Sequence, residues 1–223
     1  MNWFLKTFTY SIGKKIIMSL TGLFLVIFLI AHLASNLLLF VNDGGLAFNE
    51  NSHYLTQNIF IRIVEILMFL SFFFHIIDGV ALTIQNRRAR KVRYAVSNSN
   101  ANSMWSARNM IISGIVVFAF LIVHLKTFFV PYRISGLEDG VTLYDITKAA
   151  FENPWYSLFY IIAMALLGMH LHHGFASGFQ TIGLRHPKYY SMIKQGGVIL
   201  SVIICATFAA IPIYFLLMKY MNQ

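Results

Sequence analysis

The sequence predicts an all-α integral membrane protein that forms a single bundle of five transmembrane helices. Of its 223 residues, 58% are hydrophobic and 11% are charged, whereas about a quarter of the residues of a soluble domain are charged. Five apolar runs are each long enough to span a bilayer, because about 20 helical residues cross the hydrocarbon core. The runs lie at about 16–41, 59–84, 109–130, 155–180 and 197–220. Strands are excluded, since an open strand cannot satisfy its backbone hydrogen bonds in lipid.

The charged and polar residues on either side of these spans indicate where each span begins and ends. The first follows a pair of lysines and stays apolar to Val41, which is too long for the apolar core of a cleavable signal peptide. A polar, basic segment, Gln85–Ala107, separates the second span from the third, and Pro212 in the fifth span is the clearest internal helix breaker. The connections Asn42–Asn58 and Pro131–Pro154 are predicted as loops with room for short interfacial helices.

The basic residues predict how the bundle is oriented. If the N-terminus is cytoplasmic, twelve of the seventeen lysines and arginines lie on that side, and no Asp or Glu lies in a cytoplasmic segment. Cytoplasmic loops carry such an excess of Lys and Arg. We therefore predict a cytoplasmic N-terminus and a periplasmic C-terminus in a bacterial cytoplasmic membrane. The net charge of +9 is attributed to topology rather than to nucleic-acid binding. The basic segment suits anionic lipid headgroups or a soluble partner, or reflects the topological bias alone.

Four histidines lie deep inside four successive apolar runs, namely His32, His75, His124 and His170. Ionisable side chains are costly in hydrocarbon and mark functional sites by default. A single such histidine is more often a hydrogen-bonding residue between helices than a ligand, but four in successive spans favour a bound cofactor. Depth sorts them into an outer pair, His32 and His124, and an inner pair, His75 and His170. The two levels are predicted to lie ~15 Å apart along the membrane normal.

Two imidazoles at each level suit a b-type haem, because the porphyrin supplies the other four iron ligands. A zinc site needs about four protein ligands, usually with thiolate or carboxylate among them. Cys205 is the single cysteine, which also excludes a disulfide framework and an iron–sulfur cluster. The sequence therefore predicts two b haems, with His32 and His124 on the outer iron and His75 and His170 on the inner iron.

Glycines recur at fixed offsets from these histidines, either four residues after an inner-pair histidine or ten residues before an outer-pair one. They are Gly79 and Gly174 in the first case, and Gly22 and Gly114 in the second. We interpret them as clearance for a flat macrocycle, with ordinary small-residue helix packing as the alternative.

The fourth ligand has neighbouring alternatives, because His172 and His173 follow His170 closely. His170 and His173 share a helix face, whereas His172 points away from it. His170 is favoured because it repeats the offset to glycine, and His173 is the reserve ligand. His53 and His186 are predicted to lie in solvated loops.

These motifs resemble a known family, the single-chain di-haem cytochrome b membrane subunit of succinate:quinone oxidoreductases and quinol:fumarate reductases. The resemblance covers nearly the whole chain. The matching pieces are Ser19-Leu-Thr-Gly22…His32, Glu65…His75-Ile-Ile-Asp-Gly79, Ser113-Gly114…His124 and His170-Leu-His-His-Gly174. The family pairs the first histidine with the third and the second with the fourth, as depth does here.

The resemblance implies a complex with two further subunits on the cytoplasmic face. One is a flavoprotein that interconverts succinate and fumarate, and the other is an iron–sulfur protein. Both would dock against the basic segments 85–108 and 185–194, and the complex could form a higher oligomer. Electrons would pass from the iron–sulfur subunit through the inner and outer haems to a quinone, with menaquinone favoured. A fumarate-reducing branch carries a glutamate at the position of Gly168, so the succinate-oxidising direction is favoured here, with quinol:fumarate reduction as the alternative.

Four further residues would contact the haems or the quinone, and each also suits a purely structural role or a second function. The resemblance implies that Ser19 approaches a propionate of the inner haem, and Arg108 is positioned for the same role, although both also suit interfacial anchoring. Lys126 would meet an outer-haem propionate or extend to the membrane surface. Asp78, an intramembrane carboxylate, would orient a histidine ring or serve in quinone protonation.

The quinone site is placed on the outer side of the membrane, near Glu50 and His53, because some relatives use a glutamate in that loop. Two other classes compete with this interpretation. The membrane cytochromes of formate dehydrogenases and hydrogenases have a different histidine order and helix count. A haem-free, proton-coupled transporter would use the histidines as a relay, but no internal repeat with broken helices is apparent.

Overall fold

The structure is a computed structural model that describes residues 10–89 and 110–221. Within these ranges it contains no strand, and five of its helices are long and apolar enough to cross a membrane. The predicted class, an all-α chain with five candidate spans, is therefore confirmed. In chain order the elements are α1 (Ser11–Asn36, followed by the 3-10 turn Leu37–Phe40), α2 (Leu46–Gln57), α3 (Ile59–Ala89), α4 (Met110–His124, continued by the π-helical segment Leu125–Ser135), α5 (Leu143–Phe151), α6 (Pro154–Thr181) and α7 (Pro187–Met221).

The long helices extend beyond the apolar runs that indicated them. Helix α7 begins at Pro187, so the predicted loop 185–194 is mostly the first turns of this helix. Proline at the first helical position is favourable, because its missing N–H would have no partner there. Helix α3 continues to Ala89, so the first residues of the predicted basic loop are helical. The rest of that loop, including Arg108, lies outside the described residues.

The third span does not end at the proline that was expected to close it. A π-helical segment, Leu125–Ser135, continues the helix and contains Pro131. In an α-helix an internal proline removes one hydrogen bond and its ring meets the carbonyl of residue i−4, which kinks or breaks the helix. In a π-helical turn the hydrogen bonds run between residues five apart. His124 is the last α-helical residue before this change. Pro212, which was expected to interrupt the fifth span, lies inside α7, and that helix continues to Met221.

Helix α6 is at the centre of the bundle. It packs against α7, α1 and α4. Helix α1 in turn packs against α3, whereas α3 and α4 share only a small contact. Its buried residues Leu167 and Leu171 form a core with Leu33 of α1 and Ile204 of α7. Tyr160, also on α6, belongs to a second core. The other faces of the long helices expose large apolar side chains, as expected for surfaces in contact with lipid.

Two short helices, α2 and α5, cover the end of the bundle nearer to His32 and His124, which the predicted orientation makes the outer end. They lie within the connections where short interfacial helices were predicted. The backbone N–H of Tyr144 in α5 donates to Asn49 Oδ1 in α2 at 3.0 Å. Lys219 Nζ of α7 donates to the carbonyl of Glu152 at 3.1 Å, which ties the last span to the end of α5. Buried phenylalanines, among them Phe48, join these helices to the spans below.

Helix α5 begins with a capping box. The hydroxyl of Thr142 accepts the backbone N–H of Asp145, and the carboxylate of Asp145 accepts the backbone N–H of Thr142. Hydrogen bonds from the side chain and backbone of Thr142 hold the pKa of Asp145 below its usual value. The cap therefore sets where α5 starts above the bundle end.

Among the residues of α2, α5 and their connections, Gly45 is expected to tolerate substitution least. It adopts φ +86°, and a Cβ added there would overlap the ring of Tyr144. Gly45→Ala should lower the free energy of unfolding by more than the ~1–2 kcal/mol of a left-handed residue alone, because the α2–α5 contact must also open.

Gly44→Ala is the matched control for this change. Gly44 also has a positive φ, +70°, but a Cβ there meets nothing within 4 Å. Thermal unfolding of both variants in detergent separates backbone strain from the steric overlap. Equal melting temperatures would show that the contact with Tyr144 contributes nothing.

Candidate functional site

The four intramembrane histidines meet as two pairs. The ring centroids of His32 on α1 and His124 on α4 are 5.8 Å apart, with the planes at 89°. Those of His75 on α3 and His170 on α6 are 6.2 Å apart, with the planes at 69°. These are the outer and inner pairs that helical depth indicates from the sequence.

The spacing within each pair is that of two imidazoles on opposite sides of one metal ion. Metal–imidazole bonds of about 2 Å would put the two ring centres about 6 Å apart. Within the described ranges no third His, Cys, Asp or Glu joins either pair to form a larger metal-binding group. A donor set of two imidazoles fits a metal that brings its remaining ligands with it, as iron does in haem.

The inner pair is held so that the Nε2 atoms are available. His75 Nδ1 lies 3.1 Å from the carbonyl oxygen of Met18, which can only accept. His170 Nδ1 lies 3.3 Å from the hydroxyl of Ser113, and that hydroxyl donates its own proton to the carbonyl of Met110 at 2.9 Å. Both Nδ1 atoms are therefore donors, which assigns the tautomer whose Nε2 lone pair can bind a metal.

The outer pair has different partners. His124 Nδ1 lies 3.0 Å from the hydroxyl of Tyr160. The side-chain nitrogen of Asn36 is 3.5 Å from both ring nitrogens of His32 and instead donates to the His32 carbonyl at 2.7 Å. Phe28 stacks on His32 with ring centroids 5.4 Å apart. Further aromatic rings around the pair are Phe120, Phe128 and Phe208. This lining is apolar and aromatic.

Two of the predicted glycines contact the inner-pair rings. A Cβ on Gly22 would lie 3.0 Å from His75 Cε1, and one on Gly114 would lie 3.5 Å from His170 Cε1. Each glycine is ten residues before an outer-pair histidine on the same helix. Ten residues rise by about 15 Å, so the two pairs lie at levels that far apart.

The other two glycines have less specific surroundings. A Cβ on Gly79 meets nothing within 4 Å, and one on Gly174 comes within 3.5 Å of the Met110 side chain. Their role in macrocycle clearance stays a prediction. Gly22 and Gly114, by contrast, are in contact with imidazoles, so the space that they leave is used by the histidine rings themselves.

The histidine pattern alone does not indicate Met18, Ser113 or Tyr160 as partners of the imidazoles. A signal for two of them is a short repeat, since residues 18–32 and 110–124 share the pattern Met-x-x-(Thr/Ser)-Gly followed by His ten residues after the glycine. In both copies the glycine faces the inner pair and the histidine belongs to the outer pair. The first and third spans thus run in the same direction and share this short pattern.

The remaining predicted residues are dispersed. Asp78 is buried one turn from His75, and its Oδ2 has no hydrogen-bond partner among the described residues. Glu50 and His53 are exposed on α2 at the outer end, so they cannot share a site with Asp78. His53 was expected in a loop, but the connection folds as α2 because Gly45 allows the chain to turn into it.

The other residues considered in the sequence analysis differ in how exposed they are. Ser19 is buried, and its hydroxyl donates to the carbonyl of Lys15 at 2.8 Å. Lys126 is exposed on the π-helical segment, and His186 is exposed between α6 and α7. His173 is half-buried. The haem-contact roles expected of Ser19, Lys126 and His173 stay predictions, whereas His186 lies in an exposed connection as expected.

Comparisons with family models, with curated proteins and with solved structures find no match for this chain. Over residues 10–89 and 110–221, the fold and the site define a helical bundle with five candidate spans that holds paired imidazoles at two levels.

Proposed function

We propose that this chain is a membrane-bound di-haem cytochrome b and serves as the membrane subunit of a succinate:quinone oxidoreductase. One observation carries the proposal: two pairs of imidazoles, with ring centroids 5.8 and 6.2 Å apart, at levels separated by about 15 Å. Spacing and donor set suit an iron porphyrin at each level, and the tautomer of the inner-pair imidazoles suits one there.

Each pair of histidines would bind one haem iron. His32 and His124 would bind the outer iron, and His75 and His170 the inner iron. Met18 and Ser113 hold the inner imidazoles through Nδ1, and the phenylalanines around the outer pair exclude water from it. When bound, each haem supplies a one-electron carrier. The chain would then connect a soluble electron donor on one side of the membrane with a quinone in the lipid.

The remaining parts of the proposal concern orientation and partners. The N-terminus would be cytoplasmic in a bacterial cytoplasmic membrane, which the distribution of Lys and Arg supports. An iron–sulfur subunit and a flavoprotein would dock at the inner end, where Arg87, Arg88, Lys188 and Lys194 extend α3 and begin α7. Menaquinone is the favoured quinone. Gly168 supports succinate oxidation over quinol:fumarate reduction, which is the alternative direction.

A proton-coupled transporter without haem is the alternative from another class. The buried Asp78, whose Oδ2 has no partner among the described residues, favours it, because intramembrane carboxylates commonly take part in proton relays.

Haem content separates the two classes. The protein, purified with haem available during expression, should be red and show a reduced b-type spectrum with about two haems per chain. Purified from its native membrane, it should bring a flavoprotein and an iron–sulfur protein with it and reduce a quinone with succinate. A colourless, folded preparation would exclude the cytochrome. A red preparation without these partners would retain the cytochrome and reject the complex.

A further inference from the structure

Tyr160 is the closest polar neighbour of an outer-pair imidazole among the described residues. Its hydroxyl lies 3.0 Å from His124 Nδ1, and its side chain is buried at 5% exposure. It stands on α6 ten residues before His170, so one helix supplies the inner ligand and this contact at the outer level.

The direction of the hydrogen bond decides whether His124 can bind a metal. The hydroxyls of Tyr156 and Tyr160 lie 3.3 Å apart, and each can donate to the other. Tyr160 can therefore donate its own proton to Tyr156 and accept a hydrogen bond from His124. A phenol oxygen can accept more than one hydrogen bond. If His124 donates its Nδ1 proton to the same oxygen, its Nε2 is free to bind a metal. The opposite direction would leave the proton on Nε2 and prevent ligation.

The ring of Tyr160 is fixed by aromatic contacts. Phe120 and Phe151 pack edge-on against it, with centroids at 4.8 and 4.9 Å. A hydroxyl on a fixed ring sets the orientation of the imidazole bonded to it. For the other outer-pair histidine, His32, the single polar side chain near the ring nitrogens in the described part of the chain is Asn36, at 3.5 Å.

On the basis of the proposed haem function, we propose that Tyr160 is a positioning residue that orients His124 and tunes the reduction potential of the outer haem. An acceptor at Nδ1 makes the imidazole a stronger electron donor, which stabilises ferric over ferrous iron. At the outer level the acceptor for His124 is a side chain, so a substitution can remove it. At the inner level the acceptor for His75 is a backbone carbonyl, which no substitution deletes.

Tyr160→Phe tests the proposal, because it keeps the ring packing and removes only the acceptor. The reduction equilibrium of the outer haem should shift by roughly three- to tenfold in favour of the ferrous form, equivalent to at most about 59 mV for a one-electron couple. The electron paramagnetic resonance spectrum of the outer ferric haem should change, because the ring of His124 is no longer held. The inner haem should change in neither measurement.

Tyr156→Phe is the matched control, since it removes a neighbouring hydroxyl that does not touch His124. It should shift the outer potential less than Tyr160→Phe does. A His32→Ala variant that retains one haem identifies which signal belongs to the inner level. Selective loss of the outer haem in Tyr160→Phe, reversed by excess haem, would also support positioning, since such partners change metal affinity by about 10–100-fold.

An unchanged outer haem, or equal changes in both haems, would overturn the proposal. If Tyr160→Phe does not fold, replacement of Tyr160 by 3-fluorotyrosine provides a second test. The substituted phenol is almost the same size as that of tyrosine and is a weaker hydrogen-bond acceptor. The outer potential should then rise by a smaller amount, and no rise would overturn the proposal. Absence of haem from the unsubstituted protein would instead reject the proposed function.

Discussion

His32→Ala and His124→Ala are each expected to remove the outer haem and leave the inner one. The two imidazoles are 5.8 Å apart and are held by different helices, so neither can replace the other across the iron. His75→Ala and His170→Ala should give the reciprocal result. Haem per chain should fall from about two to about one in all four variants, and redox titration should show that the surviving haem differs between the two sets.

His173→Ala is the matched control for His170→Ala. His173 is three residues further along α6 and half-buried, whereas the ring of His170 faces that of His75 at 6.2 Å. The control should keep both haems. If it loses one while His170→Ala keeps both, the fourth ligand is His173. If His32→Ala and His75→Ala remove the same haem, the assignment of the pairs to two irons is wrong.

Gly22→Val is expected to remove the inner haem although residue 22 is not a ligand. Its Cβ would lie 3.0 Å from His75 Cε1, and the further methyl groups would force the ring away from His170. His75 cannot retreat easily, because its Nδ1 is bonded to the Met18 carbonyl on the same helix α1. The absorption and electron paramagnetic resonance spectra of the inner haem should be lost, with those of the outer haem retained.

Smaller substitutions at Gly22 and Gly114 test whether the effect depends on the distance to the imidazole. Gly22→Ala should disturb the inner haem more than Gly114→Ala, since the added Cβ atoms would lie 3.0 and 3.5 Å from the respective imidazoles. Gly22→Val with an unchanged inner haem would show that His75 has another orientation in the haem-bound protein.

The five spans could be predicted from the sequence because membrane crossing depends on the length and apolarity of a segment, both of which are local. The ends were less predictable. Helix α7 starts at Pro187 among polar residues, and α4 continues through Pro131, since hydrogen bonding rather than apolarity decides where a helix stops.

The pairing of imidazoles could also be predicted, because successive spans alternate in direction and depth then fixes which residues share a level. The partners of those imidazoles could not. Whether Tyr160 reaches His124 depends on the rotation of α6 relative to α4, which no property of either segment alone reveals. The repeated pattern around Gly22 and Gly114 makes Thr21 and Ser113 equivalent positions in the sequence. Only the structure shows that their hydroxyls lie near inner-pair imidazoles, 3.4 Å from His75 Nδ1 and 3.3 Å from His170 Nδ1.

Helix α6 links both levels through one uninterrupted stretch of backbone. Tyr160 and His170 are ten residues apart on it, and hydrogen bonds along the helix keep that length constant. Connecting segments can therefore lengthen, shorten or bend without altering the distance that an electron would have to travel between centres. A single residue inserted between Tyr160 and His170 would turn one site by roughly 100° relative to the other, and so would disconnect the two levels even if every contact elsewhere survived.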